Sequence, residues 1–184
     1  MSLIRNILIV FAISLTASCA SKVTSIKDDV DDKLQETEGY LLIAVDTNVG
    51  LNEILISGEN YIKLTAQDLR SGTNYILINL PEGEYEIQRI KLNDWYYIDH
   101  FEDELWSFKV EKDVISYVGH LDIQTGGWWS RYSEVELLNK SSMALEFMQE
   151  EFSSILANRN LKYHGPGDDE FFKIVGFNKT KEAS

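Results

Sequence analysis

Two groups of residues in this sequence have types and spacings that could carry chemistry. The first is an acidic loop with one imidazole, Asp99-His100-Phe101-Glu102-Asp103-Glu104. Carboxylates and imidazoles bind divalent metals and act as general acids and bases. A metal site needs ligands that converge from several elements, which consecutive residues of one loop seldom supply. We therefore interpret this segment as a solvated acidic loop, and keep as an alternative a metal site or hydrolase that uses His100, Glu102 and His120.

The second group is aromatic and follows the Gly126-Gly127 pair; its members are Trp128, Trp129, Arg131 and Tyr132. Such rings could stack on a sugar or hold a peptide, while the arginine binds a carboxylate. Neighbouring residues of a strand point to opposite faces, however, so one of the two tryptophans would be buried. Both interpretations stay open here: contact with a ligand or partner, and packing in the core.

Nucleophilic catalysis has no recognisable motif in this chain. There is no Gly-x-Ser-x-Gly sequence, and Gly165-Pro166-Gly167 lacks the Lys-Ser/Thr of a phosphate-binding loop. The sequence therefore assigns no catalytic residue and calls for no cofactor. We expect a protein that is not an enzyme.

The only cysteine, Cys19, stands at the end of an N-terminal apolar run. Arg5 precedes this run, which extends from Ile7 to Leu15 and is too short to span a bilayer comfortably, so residues 1–18 are predicted to be an export signal. The sequence Leu15-Thr16-Ala17-Ser18-Cys19 resembles the signal of bacterial lipoproteins, in which the cysteine becomes the lipidated first residue of the mature chain. Buried acyl chains contribute ~0.8 kcal/mol per CH₂, enough together to anchor a protein stably.

Sorting of the anchored chain is indicated by the residues after the cysteine, Ala20 and Ser21. Because neither is Asp, the pattern is similar to that of lipoproteins which reach the outer membrane of bacteria with two membranes. The resemblance therefore implies a lipid-anchored protein of the cell envelope that faces the periplasm.

The charge of the chain limits its partners. The formal net charge is −13 for 184 residues. Nucleic acid is excluded as a partner, because binding to phosphates requires clustered lysines and arginines. Anionic headgroups would repel the body, so membrane attachment is expected through the lipid alone. An envelope protein or a glycan remains a possible partner, and the sequence does not indicate an oligomeric state.

The segment between the lipid and the body is acidic. Within the predicted tether, residues 19–39, the stretch from Ser21 to Glu38 contains only four modest apolar side chains, which have helical spacing: Val23, Ile26, Val30 and Leu34. These would bury too little surface to offset the entropy of ordering the segment. We therefore predict a solvated tether, and a folded body that comprises residues 40–178.

Strand patterns recur along the body every eight to twelve residues, with turns between them. A phase slip at Gln88-Arg89 indicates a β-bulge. This rhythm is typical of a mainly β, antiparallel β-sandwich. The stretches with strand character are Tyr40–Val45, Glu53–Ile56, Tyr61–Thr65, Tyr75–Leu80, Tyr85–Leu92, Trp106–Val110 and Ile115–Ile123.

The C-terminal third changes its period. Leu145, Met148, Phe152, Ile155 and Leu156 lie on one helical stripe, which predicts a single amphipathic helix over about residues 141–160. A final strand, Phe171–Val175, is expected to rejoin a sheet, and residues 179–184 are expected to form a tail.

Two stretches of the body, "LPEGEYEI" and "FKVEKDVISYVGHLDI", resemble small bacterial lipoproteins of unknown function. Those proteins have a transthyretin-like (prealbumin-like) or carboxypeptidase-regulatory-like β-sandwich. The matching positions are Pro81, Gly83, Tyr85, Phe108, Val110, Tyr117 and Gly119. The resemblance covers roughly residues 40–123 and implies a fold but no activity, because a fold does not set a function. The expected function is a membrane-anchored, non-enzymatic binding or accessory module.

Overall fold

Over the residues that the structure describes, the protein is mainly β, with two sheets and three short helices. The computed structural model describes residues 20–31, 34–99, 101, 104–126 and 133–176. Its strands are β1 (Ser21–Lys22), β2 (Glu38–Thr47), β3 (Glu53–Ser57), β4 (Ile62–Thr65), β5 (Gly72–Pro81), β6 (Gly83–Lys91), β7 (Tyr97–Ile98), β8 (Ser107–Val110), β9 (Val114–Thr125), β10 (Ser133–Leu138) and β11 (Asn160–Tyr163). Its helices are α1 (Ser141–Glu151), α2 (Ser153–Asn158) and α3 (Phe171–Ile174), with a 3₁₀ turn at Glu104–Trp106.

The first sheet, sheet A, has the order β1-β4-β3-β6-β7, and β8 pairs with β6 as well. The second, sheet B, has the order β10-β9-β2-β5, and β11 also pairs with β9. The pairs β1–β4, β2–β9 and β9–β11 are parallel. The expected purely antiparallel arrangement is therefore wrong, and both sheets are mixed. A parallel pair requires a long crossover, and strands β3 to β8 supply it between β2 and β9.

The main core lies between the two sheets. Alternate residues of β2, namely Leu41, Ile43 and Val45, pack in one buried cluster with Ile54 and Ile87 of sheet A. Other side chains of β2, such as Tyr40 and Leu42, face the opposite side of sheet B and pack under the helices. Since β2 is covered on both faces, it has apolar residues at both parities, as central strands do.

The helical layer differs from the prediction in two places. The expected single helix breaks at Phe152, whose backbone (φ −136°, ψ 44°) separates α1 from α2. The expected final strand is instead the short helix α3, which buries Phe172 and leaves Ile174 exposed. The strand that rejoins sheet B is β11, which follows α2 directly.

The predicted bulge in β6 is confirmed. Leu55 of β3 pairs with Arg89, and the next residue, Ile56, pairs with Ile87. Gln88 is therefore the extra residue, and the bulge returns Ile87 and Ile90 to the same buried cluster.

The N-terminal segment is not a solvated tether, and this prediction is wrong for residues 21–31. This segment, which we call the strap, begins as β1 against β4 and continues with a hydrogen bond from the Val23 amide to Lys63 O (3.2 Å). It then crosses to sheet B, where the Ile26 amide donates to Leu77 O (2.8 Å) and Ser25 Oγ accepts from the Leu77 amide (3.1 Å). The strap thus covers the outer edges of both sheets.

Polar contacts fix the rest of the strap to the helical layer. Asp29 accepts hydrogen bonds from the amides of Ser154 (2.7 Å) and Ile155 (3.0 Å), and so caps the start of α2. Burial would raise the pKa of Asp29, but these amide hydrogen bonds outweigh it and hold the pKa below its usual value. Asp31 contacts Arg159 Nε with both carboxylate oxygens (3.1 Å each). These partners lie more than 120 positions away in sequence, beyond the reach of a local pattern.

The strands of both sheets begin and finish at the same two ends of the body, which we name the tip end and the base end. At the tip end β2 and β9 finish, at Thr47 and Thr125, and Asn48 Nδ2 donates to Thr125 O (2.8 Å). In sheet A, β3 begins and β6 finishes at this same end, since Glu53 pairs with Lys91. At the base end β3 finishes and β6 begins, since Ser57 pairs with Glu86.

Candidate functional site

A tight loop with three consecutive aromatic residues projects from the tip end. This tip loop, residues 92–97, connects β6 to β7 and includes Tyr97, the first residue of β7. Asn93 Oδ1 accepts hydrogen bonds from the amides of Trp95 (2.9 Å) and Tyr96 (3.1 Å), and the Leu92 amide donates to Tyr96 O (3.0 Å). This is the local turn that an asparagine side chain stabilises. The aromatic residues are therefore carried by a hydrogen-bonded backbone.

The aromatic side chains of the tip loop are exposed. Trp95 has 86% of its surface accessible, and Tyr96 and Tyr97 each have 60%. Beside them, Asp94 accepts from Lys91 Nζ (3.1 Å) and from Asn52 Nδ2 (3.3 Å), which ties the loop to the neighbouring loop before β3. Large aromatic side chains normally pack, so a hydrogen-bonded loop that exposes three of them is suited to contact with another molecule.

An acidic row lies on sheet B at the same end. Asp46 of β2 pairs with Asp122 of β9, which pairs with Glu136 of β10. Three carboxylates thus stand side by side on the face of the sheet away from the main core. Like charges in direct cross-strand positions repel one another and cost stability. The row gives the tip end a negative potential that would favour a positively charged partner.

His120, one of the candidates for metal or catalytic chemistry, is fully buried. Its Nδ1 lies 2.7 Å from the Tyr117 hydroxyl, and its Nε2 lies 3.2 Å from the Tyr75 hydroxyl. The Tyr117 hydroxyl also accepts from the Lys140 amide (3.0 Å), and we assign its own proton to the hydrogen bond with Nδ1, which places the ring proton on Nε2. Both ring nitrogens are therefore occupied, which opposes a role for His120 as a metal ligand or as a base.

The burial of His120 predicts a pH-dependent stability. Burial and the nearby Lys140 lower its pKa to about 4, against the smaller opposing effect of Asp46 and Asp122. The imidazole of the unfolded chain takes up a proton near pH 6.5, whereas the buried imidazole does so only near pH 4. The contribution of His120 to the free energy of unfolding is therefore fully present above pH 6.5 and decreases as the pH drops toward 4. The loss is up to about 3 kcal/mol from this residue. Urea unfolding between pH 4.5 and 8 should show this slope, and His120→Gln, which cannot titrate, should flatten it.

A residual slope is expected in the His120→Gln variant, because burial also lowers the pKa of His164. Equal slopes for the wild type and the variant would show that His120 titrates normally and is not buried as described.

A second histidine, His164, contacts a serine through one ring nitrogen and a carboxylate through the other. Ser116 Oγ lies 3.0 Å from His164 Nδ1, and His164 Nε2 lies 3.1 Å from Glu111 Oε2. The order serine, imidazole, carboxylate is that of a hydrolase triad. Ser116, however, is fully buried in β9 and accepts a hydrogen bond from the Glu111 amide (3.0 Å), so no substrate can approach its hydroxyl. These contacts hold the Glu111 turn to the end of β11.

One surface pocket of about 610 Å³ lies beside α3, away from the tip end. Its charges are largely paired within the protein: Asp169 accepts from Ser141 Oγ (2.5 Å) and Asn139 Nδ2 (2.9 Å), and Lys173 pairs with Glu170 (2.8 Å). The lining residues are Lys162, Tyr163, Asp168, Asp169, Glu170, Phe172 and Lys173. Because Lys173 is paired with Glu170, Lys162 with Glu111, and Asp169 with Ser141 and Asn139, the pocket has no evident ligand preference.

Most of the side chains predicted from the sequence lie outside the described residues. These are Cys19, His100, Glu102, Trp128, Trp129, Arg131 and Tyr132. Over the described ranges, no three His, Cys, Asp or Glu side chains are grouped so that they could hold a metal ion. Over the same ranges, no helix has the length and apolarity needed to cross a membrane.

The tip loop was present in the sequence but was not singled out there. Its signal is Asn93-Asp94 directly before three aromatic residues: two residues that favour turns, followed by side chains that seldom occur in exposed turns.

Comparison with models of protein families, with curated proteins and with solved structures found no match to this chain.

Proposed function

We propose that this protein is a lipid-anchored, non-enzymatic binding module of the bacterial cell envelope. Its body would be a β-sandwich with a helical layer, its anchor would be the lipid on Cys19, and its contact surface would be the tip loop. The observation that carries the proposal is the exposure of Trp95 on a loop held by Asn93. Tryptophan and tyrosine are the side chains that most often dominate the energy of protein–protein contacts.

The partner that suits this surface is an envelope protein with an apolar pocket and a basic rim. The aromatic side chains of the tip loop are exposed, so they would fill a pocket of the partner, whereas a sugar usually needs a cleft or a flat platform. The acidic row of Asp46, Asp122 and Glu136 and the net charge of −13 favour a basic surface around that pocket. Trp128, Trp129, Arg131 and Tyr132, which follow β9 in the sequence, stay candidates for contact with the same partner.

Photo-cross-linking in the intact envelope tests the contact surface. A photoreactive amino acid at Tyr97 should give a discrete adduct with one protein, whereas the same group at Asn60, an exposed residue of the base end, should not. The captured protein is then purified and titrated against the full chain at two salt concentrations. Saturable binding that weakens with salt supports the proposal. Equal adducts from both positions, or an adduct with glycan alone, would contradict it.

The anchor is tested separately by Cys19→Ser. The wild-type chain is expected to enter the detergent phase in Triton X-114 partition, because the acyl chains bind the micelle. The variant should stay in the aqueous phase. If the variant also enters the detergent phase, lipid on Cys19 is not the anchor.

A further inference from the structure

The strap determines how an anchored molecule is oriented. Residue 21 is already hydrogen-bonded to the body, since the Ser21 amide donates to Tyr61 O (2.8 Å). Only Ala20 separates this residue from Cys19. Two residues span at most about 7 Å, so a lipid on Cys19 would begin within that distance of sheet A. A body so close to its anchor has little freedom to turn.

The direction of β1 indicates which end lies near the lipid. Ser21 pairs with Ile62 and Lys22 with Lys63, in parallel, so the chain before Ser21 leads toward the start of β4 and the turn at residues 58–61. This turn belongs to the base end, because β3 finishes there. The tip loop lies beyond the opposite end of β6. The anchor and the exposed aromatic residues are therefore at opposite ends of sheet A.

The strap keeps this arrangement in place. Its hydrogen bonds to β4 and β5, the cap on α2 and the contact of Asp31 with Arg159 distribute the attachment over both sheets and the helical layer. The ion pair of Lys27 with Asp68 (3.2 Å) adds a contact beside the tip end, where the carboxylate is buried. Rotation of the body about its anchor would require several of these contacts to break together.

We propose that the base end of sheet A lies against the lipid surface and that the tip loop points away from it. This proposal rests on the lipid anchor proposed above. It implies that the partner reaches the tip loop from the aqueous space, or from a structure opposite the membrane, and not from within the same membrane. Tyr61, which is partly exposed beside Ser21, is suited to the headgroup region.

Fluorescence quenching on vesicles tests the orientation. Cys19 is the only cysteine of the chain, and its sulfur would be blocked by the lipid. A dye would therefore label only the one cysteine that each variant introduces. The full lipidated chain is prepared as Asn60→Cys, at the base end, and as Arg70→Cys, in the loop between β4 and β5 at the tip end. Each is labelled with an environment-sensitive dye and bound to phosphatidylcholine vesicles that contain a headgroup-quencher lipid.

The dye at position 60 is expected to be quenched several-fold more strongly than the dye at position 70. A spacer of twelve Gly and Ser residues between Ala20 and Ser21 should abolish the difference, because the body could then rotate. Equal quenching without the spacer, or stronger quenching at position 70, would overturn the orientation while leaving the anchor intact. A chain that does not float with the vesicles would overturn the anchor, and the orientation with it.

Discussion

Replacing Trp95 by alanine is expected to weaken binding of the cross-linked partner by roughly 30-fold, which corresponds to about 2 kcal/mol at a dominant interface residue. The reason is that Trp95 is the most exposed of the large hydrophobic side chains among the described residues, on a loop that loses little freedom on binding. Titration of the purified partner with the full chain gives the two dissociation constants.

The same substitution should leave the folded state intact. Trp95 makes no contribution to either buried cluster, so the urea midpoint should stay within the usual range of surface substitutions. Ile174→Ala is the matched control: it removes another exposed apolar side chain, in α3 of the helical layer that covers sheet B. Equal losses of affinity for Trp95→Ala and Ile174→Ala would mean that the tip loop is not the contact surface.

Replacing Arg159 by alanine is expected to destabilise the protein by about 2 to 4 kcal/mol, because it removes one partner of a mostly buried ion pair. The side chains of Arg159 and Asp31 are each only 15% exposed. The guanidinium also contacts Asp113 and lies 6.0 Å from the Tyr40 ring centre. Without the guanidinium, the Asp31 carboxylate would keep its hydrogen bond from the Tyr40 hydroxyl (3.1 Å) but would lose the positive charge that pairs with it. The free energy of unfolding in urea measures the loss.

Two further variants show whether the loss comes from the strap. Arg159→Lys should recover less than half of it, since an ammonium cannot bridge Asp31 and Asp113 as a guanidinium does. Lys173→Ala, which removes the cation of the exposed pair with Glu170, should leave the urea midpoint unchanged. If Arg159→Ala behaves like Lys173→Ala, the strap contributes nothing to stability at this point.

The strands of the body could be predicted from sequence because they carry their own signals. Apolar residues at both parities of Tyr40–Val45 predicted a strand covered on both faces, and the phase slip at Gln88 predicted the bulge. Strand direction carries no such signal. The parallel pairing of β2 with β9 depends on the path of some seventy intervening residues, and local periodicity does not describe that path.

The strap and the split helix could not be predicted, because their causes are remote in sequence. From the sequence alone, Asp29 and Asp31 are predicted to be solvated. In the fold, Asp29 caps the start of α2 and Asp31 binds Arg159. The break at Phe152 is stabilised by the cap from Asp29, which a helical stripe does not reveal. For the tip loop, the sequence shows three aromatic residues but does not show that they are exposed, because Trp and Tyr side chains are more often buried in a core.

Hydrogen exchange at the strap tests most directly whether the N-terminal segment belongs to the folded body, as the proposed orientation of the tip loop relative to a lipid on Cys19 requires. The amides of Val23 and Ile26, which donate to Lys63 O and Leu77 O, are expected to exchange as slowly as the amides of β4 and β5 beside them. Exchange of residues 21–31 within seconds, at the rate of an unstructured peptide, would show a free tether and would contradict the fixed orientation of the molecule.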